Sequence, residues 1–190
     1  METFSKGAAL LLVDLQVGFE EPAWGRRCNP EAELHAARLL VAWRAARRPV
    51  FHARHMSTLA ASPLHPSRPG NAFMPLTAPV PGEPVFEKRV NSCFIGTSLE
   101  AELRAAGCDA LVLAGLTTNH CVSTTARMAG NLGFDTYVVS GATATFDRTG
   151  PDGVLHPAEQ IHAIALSDLH GEFATVIDTA TAVRRATRSP

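Results

Sequence analysis

The sequence predicts a single α/β domain in three layers: a Rossmann-like fold with a mainly parallel sheet flanked by helices. Three observations point there. Short, nearly unbroken apolar runs such as Ala8 to Val13 and Ala110 to Ala114 fit strands buried on both faces. Helical stretches alternate with these runs, the pattern of βαβ connections. The 190 residues, 46% of them apolar, suffice for one domain with a full core, and no internal repeat or second domain is evident, so the domain is expected over 1–190.

The elements follow in order. Ala8 to Val13 is the first strand, closed by Asp14. After a loop with Pro22, Gly25 and Pro30, Asn29 can cap a helix that has Pro30 at its first position and Glu31 and Glu33 in its first turn. Pro49 stops that helix after Arg48, and Val50 to Met56 reads as the second strand. From Ser57 to Pro84 seven prolines leave little periodicity. A connection of this length is expected to be functional, covering a site or a subunit contact. Val85 to Lys88 is a short strand, and Thr97 opens a helix that ends at Gly107. Ala110 to Ala114 is a buried strand, Leu116 to His120 a tight loop, and Cys121 begins a helix ending at Gly133. Asp135 to Ser140, Pro157 to Leu169 and Phe173 to Ile177 read as strand, helix and final strand, and Arg184 to Pro190 is expected to fray.

Composition removes several classes of function. A net charge of -1 argues against a basic nucleic-acid binder. Arg44, Arg47 and Arg48 recur at helical spacing, as on a solvated helix face. No run reaches the roughly 18 apolar residues of a membrane span, and the first residues lack the apolar core of a signal peptide. Cys28, Cys93, Cys108 and Cys121 are irregularly spaced without a C-x-x-C pair. That speaks for free thiols in a reducing, cytoplasmic setting and against a zinc knuckle or thioredoxin-like site. Neither G-x-G-x-x-G after the first strand nor G-x-x-x-x-G-K-[ST] occurs, so no nucleotide cofactor is expected.

Open parallel sheets bind ligands beyond the carboxyl ends of their strands. That rule selects Asp14, which closes the first strand, Lys88, which closes the short strand, and Cys121, just past the Ala110 to Ala114 strand. Cys121 lies in the first turn of a helix, where Thr118 or Asn119 can cap, and where free N–H groups and a nearby ammonium favour a thiolate. Each residue alone has a bland reading: a structural cysteine, a turn-capping aspartate, and a solvated strand end for Lys88 with Arg89. Their convergence on one sheet edge favours chemistry. Cys93 is a weaker rival nucleophile. His120 points away from its neighbour at a helix start and is not expected as a general base. His52 and His55 sit three apart on a strand, face opposite sides and form no ligand spacing with His65, so no metal is expected. His55 is instead expected to line the pocket.

At these residues the chain resembles the isochorismatase-like cysteine hydrolases. The matching stretches are ALLLVDLQVGF (9–19), EKRVNSCFIGTSLEAELRAAG (87–107), LVLAGLTTNHCVSTTARMAGNLGF (111–134) and HPAEQIHAIALSDLHGEFATV (156–176). The resemblance implies a catalytic triad of Asp14, Lys88 and Cys121. It also implies a cis peptide between Leu116 and Thr117, and an oxyanion hole from the backbone N–H groups of Thr117 and Cys121. Nicotinamidases of the family carry an Asp-x-His metal cluster on the second strand. Ala53-Arg54-His55 stands there without the acid, which puts metal in doubt. Gly141 stands where many relatives carry an acid.

The retained Cys121 leans toward cleavage of a C–N bond, amide or carbamoyl, in a small molecule through an acyl-enzyme. The alternatives are vinyl ether hydrolysis of the isochorismate type and a non-catalytic binding protein of the same fold. Gln16, Phe19, Trp24, His55, Asn91 and Asn119 are expected to wall the pocket. Members of the family commonly assemble, so a homodimer or homotetramer is expected, with no nucleic acid and no membrane as partner.

Overall fold

The computed structural model describes residues 3–188. Among these residues eight strands form: β1 Ala8–Val13, β2 Val50–His55, β3 Val85–Lys88, β4 Ala110–Leu116, β5 Asp135–Ala144, β6 Arg148–Thr149, β7 Leu155–His156 and β8 Thr175–Ile177. The helices are α1 Ala32–Ala45, α2 Leu99–Ala105, α3 Ser123–Asn131, α4 Ala158–Leu169 and α5 Thr179–Thr187. Six strands pair in parallel in the order β3-β2-β1-β4-β5-β8, and β6 and β7 make a separate antiparallel hairpin.

Every residue of β1 and of β4 is buried, as their apolar runs demand of central strands. Alternation along β1 divides the core. Leu10 and Leu12 face α1 and α5, with Leu39, Trp43 and Ala182. Ala9, Leu11 and Val13 face α2, α3 and α4, with Leu103, Ala126 and Leu169. Those are the three expected layers. The register pairs Val13 with Gly115, the point where both strands are about to hand over to loops. Gly115 has φ +127, and a Cβ there would sit 2.0 Å from the Val13 carbonyl oxygen. Only glycine permits that approach.

Several boundaries differ from expectation. Asn29 is not a helix cap. It sits at φ 44, two residues before Glu31 enters α1, and its amide donates to the carbonyls of Ser140 (3.0 Å) and Thr143 (2.8 Å). It therefore ties the loop after β1 to β5. Strand β5 runs on to Ala144, past a register shift opposite Leu113 and Gly115. The arginine stripe is only partly a solvated face: Arg47 is exposed, but Arg44 pairs with Glu83 and Arg48 donates to the Ala186 carbonyl. Thr179–Thr187 is helical rather than frayed, with Asp178 accepting from Thr181 N–H at 2.6 Å. Residues 189–190 lie outside the described residues. Gly141 sits against Thr179 and His35, on the α1 and α5 side of β5.

The proline-rich segment packs onto the end of β2. The Asn71 amide donates to the His55 and Leu64 carbonyls, and Glu83 accepts from Arg44 and pairs with the buried His52. All four cysteines are free and buried. Among the described residues no helix is long and apolar enough to cross a membrane.

Candidate active site

Three strand ends meet beyond the carboxyl edge of the sheet. Strand β3 lies beside β2 with His55 opposite Lys88, which brings those side chains together. Asp14 leaves β1 at φ 52, a left-handed conformation that aspartate tolerates, and its N–H stays bonded to Ala53 O at 3.0 Å. The Lys88 ammonium reaches Asp14 Oδ2 at 2.6 Å, His55 Nδ1 at 3.2 Å and the Val90 carbonyl at 3.2 Å. Three hydrogens find three acceptors. Asp14 is 0% exposed and Lys88 1%, so this pair lies beneath the site and not on its surface.

After β4 the chain passes through a cis peptide between Leu116 and Thr117, then makes one π-helical turn, Thr118–Val122. The N–H groups of His120 and Val122 both donate to Thr117 O, at 3.1 and 3.2 Å. The side chains of Thr118 and Asn119 do not cap the turn. Thr118 Oγ1 instead meets His162 Nδ1 at 2.9 Å. Cys121 falls in this turn as the sequence suggests. A carboxylate oxygen of Asp14, a ring nitrogen of His55 and Cys121 Sγ all lie within 4.8 Å of one another. Asn91 Oδ1 is 3.8 Å from the sulfur. Asp14 Oδ1, though buried, has no hydrogen-bond partner among the described residues.

The electrostatics differ from the expected thiolate. Burial pushes the Cys121 thiol well above the ordinary cysteine value, the Asp14 carboxylate pushes it further, and Lys88 only partly opposes this. These influences favour the thiol form of the sulfur at rest. Burial is the largest influence on Lys88 and lowers it, but Asp14, with Cys121 and Cys93, outweighs it and holds the ammonium charged. Burial, then Lys88, lowers His55. An ammonium offers only hydrogens, so His55 Nδ1 accepts, and the neutral ring carries its proton on Nε2.

These groups open into a cavity of about 370 Å³. Asp14, His55, Thr117 and Cys121 form its floor. Phe19, Trp24 and Phe146 form an aromatic wall, with Trp24 and Phe146 stacked at 5.6 Å between ring centroids. Asn91 also lines it. Two expected wall residues lie elsewhere. Gln16 is fully buried, accepting from His55 N–H at 2.8 Å and donating to His55 O at 3.1 Å, so it clamps the end of β2. Asn119 accepts from Thr145 Oγ1 at 2.5 Å and faces a neighbouring groove. The sequence reading missed Leu64, His120 and the run Thr145 to Arg148, all on the lining. That run directly follows β5, so the strand-end rule would have found it had β5 been carried to Ala144.

Asp14, His55 and Cys121 are close enough to hold a metal ion. The chain does not fit one well. Lys88 already places a cation on Asp14 Oδ2 and on His55 Nδ1. Ala53, where an Asp-x-His cluster on the second strand would place its acid, offers no ligand atom.

The family model described as Isochorismatase domain matches residues 8–181. The chain is 43% identical over 171 residues to the isochorismatase family protein YrdC of Bacillus subtilis, covering 90% of this chain and 91% of the relative. A solved structure of an isochorismatase-family protein from Chromobacterium violaceum superposes with a TM-score of 0.94 at 43% identity, covering 98% of this chain and 96% of the other. A maleamate amidohydrolase of Pseudomonas putida is 44% identical over 68 residues, 36% of this chain and 32% of its own length.

Proposed function

From the premise that this chain belongs to the isochorismatase family, we propose that it is a hydrolase cleaving a C–N bond, amide or carbamoyl, of a small molecule through an acyl-enzyme on Cys121. One observation carries the reading. The buried Asp14 carboxylate has one oxygen on Lys88 and the other unpartnered, and it lies with Cys121 at the floor of a cavity.

Asp14 takes the thiol proton as the sulfur attacks the carbonyl carbon. The carbon–sulfur bond forms, and the carbonyl electron pair moves to oxygen, where the N–H groups of Thr117 and Cys121 receive it. Losing one such donor typically costs about 3–4 kcal/mol of barrier. Asp14 then passes its proton to the leaving nitrogen as the C–N bond breaks. Water attacks the thioester, releasing the acid and restoring the thiol. Lys88 neutralises Asp14 whenever it is ionised, and so stabilises a carboxylate that burial would otherwise disfavour. A thiol at rest suits this sequence, because the proton leaves sulfur only when a carbonyl is in place. The small cavity suits a compact substrate, and one relative acts on an amide, maleamate.

A panel of small amides and carbamoyl compounds, with isochorismate included, tests the proposal. Cys121→Ala and Asp14→Asn should each lose at least about 100-fold in turnover of any amide the native protein cleaves. Undiminished turnover by Cys121→Ala would sink the acyl-enzyme. Consumption of isochorismate alone would replace it with vinyl ether hydrolysis, and no turnover across the panel would favour a binding protein.

A further inference from the structure

We infer that His162 is a positioning residue: a hydrogen bond from its Nδ1–H to Thr118 fixes the turn whose backbone N–H groups receive the substrate oxygen. The part given to those N–H groups rests on the function proposed above, whereas the bond and its direction rest on geometry alone.

The turn Thr118–Val122 is π-helical, a rare and wider form than the helix α3 it leads into. Thr117, at its N-cap, makes no side-chain cap. The first two residues of the turn instead tie it to the domain through their side chains. Asn119 Oδ1 accepts from Thr145 Oγ1 at 2.5 Å. Thr118 is fully buried, and its Oγ1 meets Nδ1 of His162, on α4, at 2.9 Å.

Asn29 decides the direction of that second bond. Its amide nitrogen gives one hydrogen to the Ser140 carbonyl at 3.0 Å and the other to the Thr143 carbonyl at 2.8 Å, and it lies 3.4 Å from His162 Nε2. Turning the amide over would set its oxygen against both carbonyls. An amide nitrogen donates and does not accept, so a hydrogen on Nε2 would meet only other hydrogens. Burial lowers the pKa of His162, so the ring is neutral and carries one proton. That proton belongs on Nδ1, where Thr118 Oγ1 accepts it. His162 therefore joins α4 to the turn and, across Asn29, to the end of β5, which leads into Thr145 and Phe146 on the cavity lining. Without the ring, the turn is free to relax toward the α-helix that follows, and its N–H groups swing off the oxygen they would receive. A misplacement of about 1 Å in such a site can cost about 100-fold.

The test needs no identified substrate. Propanal, enriched in carbon-13 at its carbonyl, adds to Cys121. The carbon–sulfur bond forms, the carbonyl electron pair moves to oxygen, and the thiol proton passes by way of Asp14 to that oxygen. Carbon-13 spectra give the dissociation constant, with Cys121→Ala as the blank. Iodoacetamide alkylates the same sulfur with no oxygen to stabilise, so its rate reports access and ionisation alone. His162→Leu and Thr118→Val should each weaken propanal about tenfold or more, keep the alkylation rate at one pH within about twofold, and lose no more when combined. His162→Asn, whose amide nitrogen takes the place of Nδ1, should keep most of the affinity, and so should Thr118→Ser. Nitrogen-15 spectra of the native protein should show His162 protonated on Nδ1. Thr118→Val, which exchanges one hydroxyl for a methyl, carries the test if His162→Leu does not fold. An alkylation rate that falls by the same factor, an affinity untouched by Thr118→Val, a ring protonated on Nε2, or no adduct on the native protein would overturn the inference. The two readings fail separately. Amide turnover through Cys121 with a propanal affinity independent of His162 sinks this one alone. A His162-dependent adduct with no amide turnover across the panel sinks the hydrolase proposal alone.

Discussion

Replacing Glu83 by glutamine should cost about 3 kcal/mol of folding stability at neutral pH and less in acid. Glu83 closes the proline-rich segment. Its carboxylate accepts from Arg44 Nε and Nη2 at 2.8 Å each and from Val80 N–H at 3.1 Å, and it meets His52 Nε2 at 2.8 Å, with the side chain 10% exposed. Burial alone would raise its pKa, but Arg44, the Val80 N–H and His52 together bring it from 4.5 to about 2. A folded pKa below the unfolded one stabilises the fold above the unfolded value, and the gain disappears as pH falls through the folded value. At about 1.4 kcal/mol per tenfold change, the drop is worth about 3 kcal/mol at pH 7 and about 2 kcal/mol at pH 3.5. For a chain of this size, about 3 kcal/mol lowers the melting temperature by roughly 6–12 °C. Burial lowers His52 and Glu83 raises it against that burial, so the variant loses this support too, and the pH 3.5 comparison is made with His52→Asn in both proteins. Urea unfolding followed by circular dichroism, at pH 7 and at pH 3.5, measures the gap. A loss below about 1 kcal/mol at neutral pH, or a gap that widens in acid, would refute the reasoning.

Three further outcomes are expected. Lys88→Met leaves the Asp14 carboxylate buried without its cation and should cost about 3–5 kcal/mol in the same unfolding assay; a loss under about 1 kcal/mol would show that the pair is not the anchor described. Iodoacetamide should label Cys121 at pH 7 no faster than Cys28, with the rate climbing as pH passes the ordinary thiol range, because burial and Asp14 raise its pKa. Rapid labelling at pH 7, read by peptide mass mapping, would restore a resting thiolate. Gly115→Ala forces a Cβ to 2.0 Å from Val13 O and should abolish soluble, cooperatively unfolding protein; a variant with native melting behaviour would mean that β1 and β4 are further apart than described.

Much of this site was legible because parallel strands end where ligands sit. Asp14 and Lys88 were found that way, and Cys121 followed a buried run by one short loop. The same rule failed where a strand end was misplaced. Ser140, Gly141 and Ala142 look like a turn in sequence, so the residues from Thr145 to Arg148 were passed over. In the fold, Asn29 holds the Ser140 and Thr143 carbonyls and carries β5 through its irregularity. No local pattern reveals a bond between residues 111 apart. Gln16 was misplaced for a related reason: a polar residue after a strand looks solvent-facing, yet its amide replaces a lost strand neighbour for the His55 backbone. The charge state of Cys121 was also out of reach. A helix start and a lysine can be read from sequence, but burial, the largest influence on that sulfur, is a property of the packed molecule. Helix α5 is hard to see in sequence because it is polar overall: it buries only the small residues Thr179, Ala182 and Ala186 among threonines and arginines.

Acid-quenched protein, taken during turnover of an amide and digested for mass spectrometry, examines the covalent step itself. The peptide carrying Cys121 should gain the mass of the acyl group with the amine already gone, and Cys121→Ala should show neither adduct nor product. An acyl group found on another side chain, or full product formation by the alanine variant, would contradict a nucleophilic Cys121.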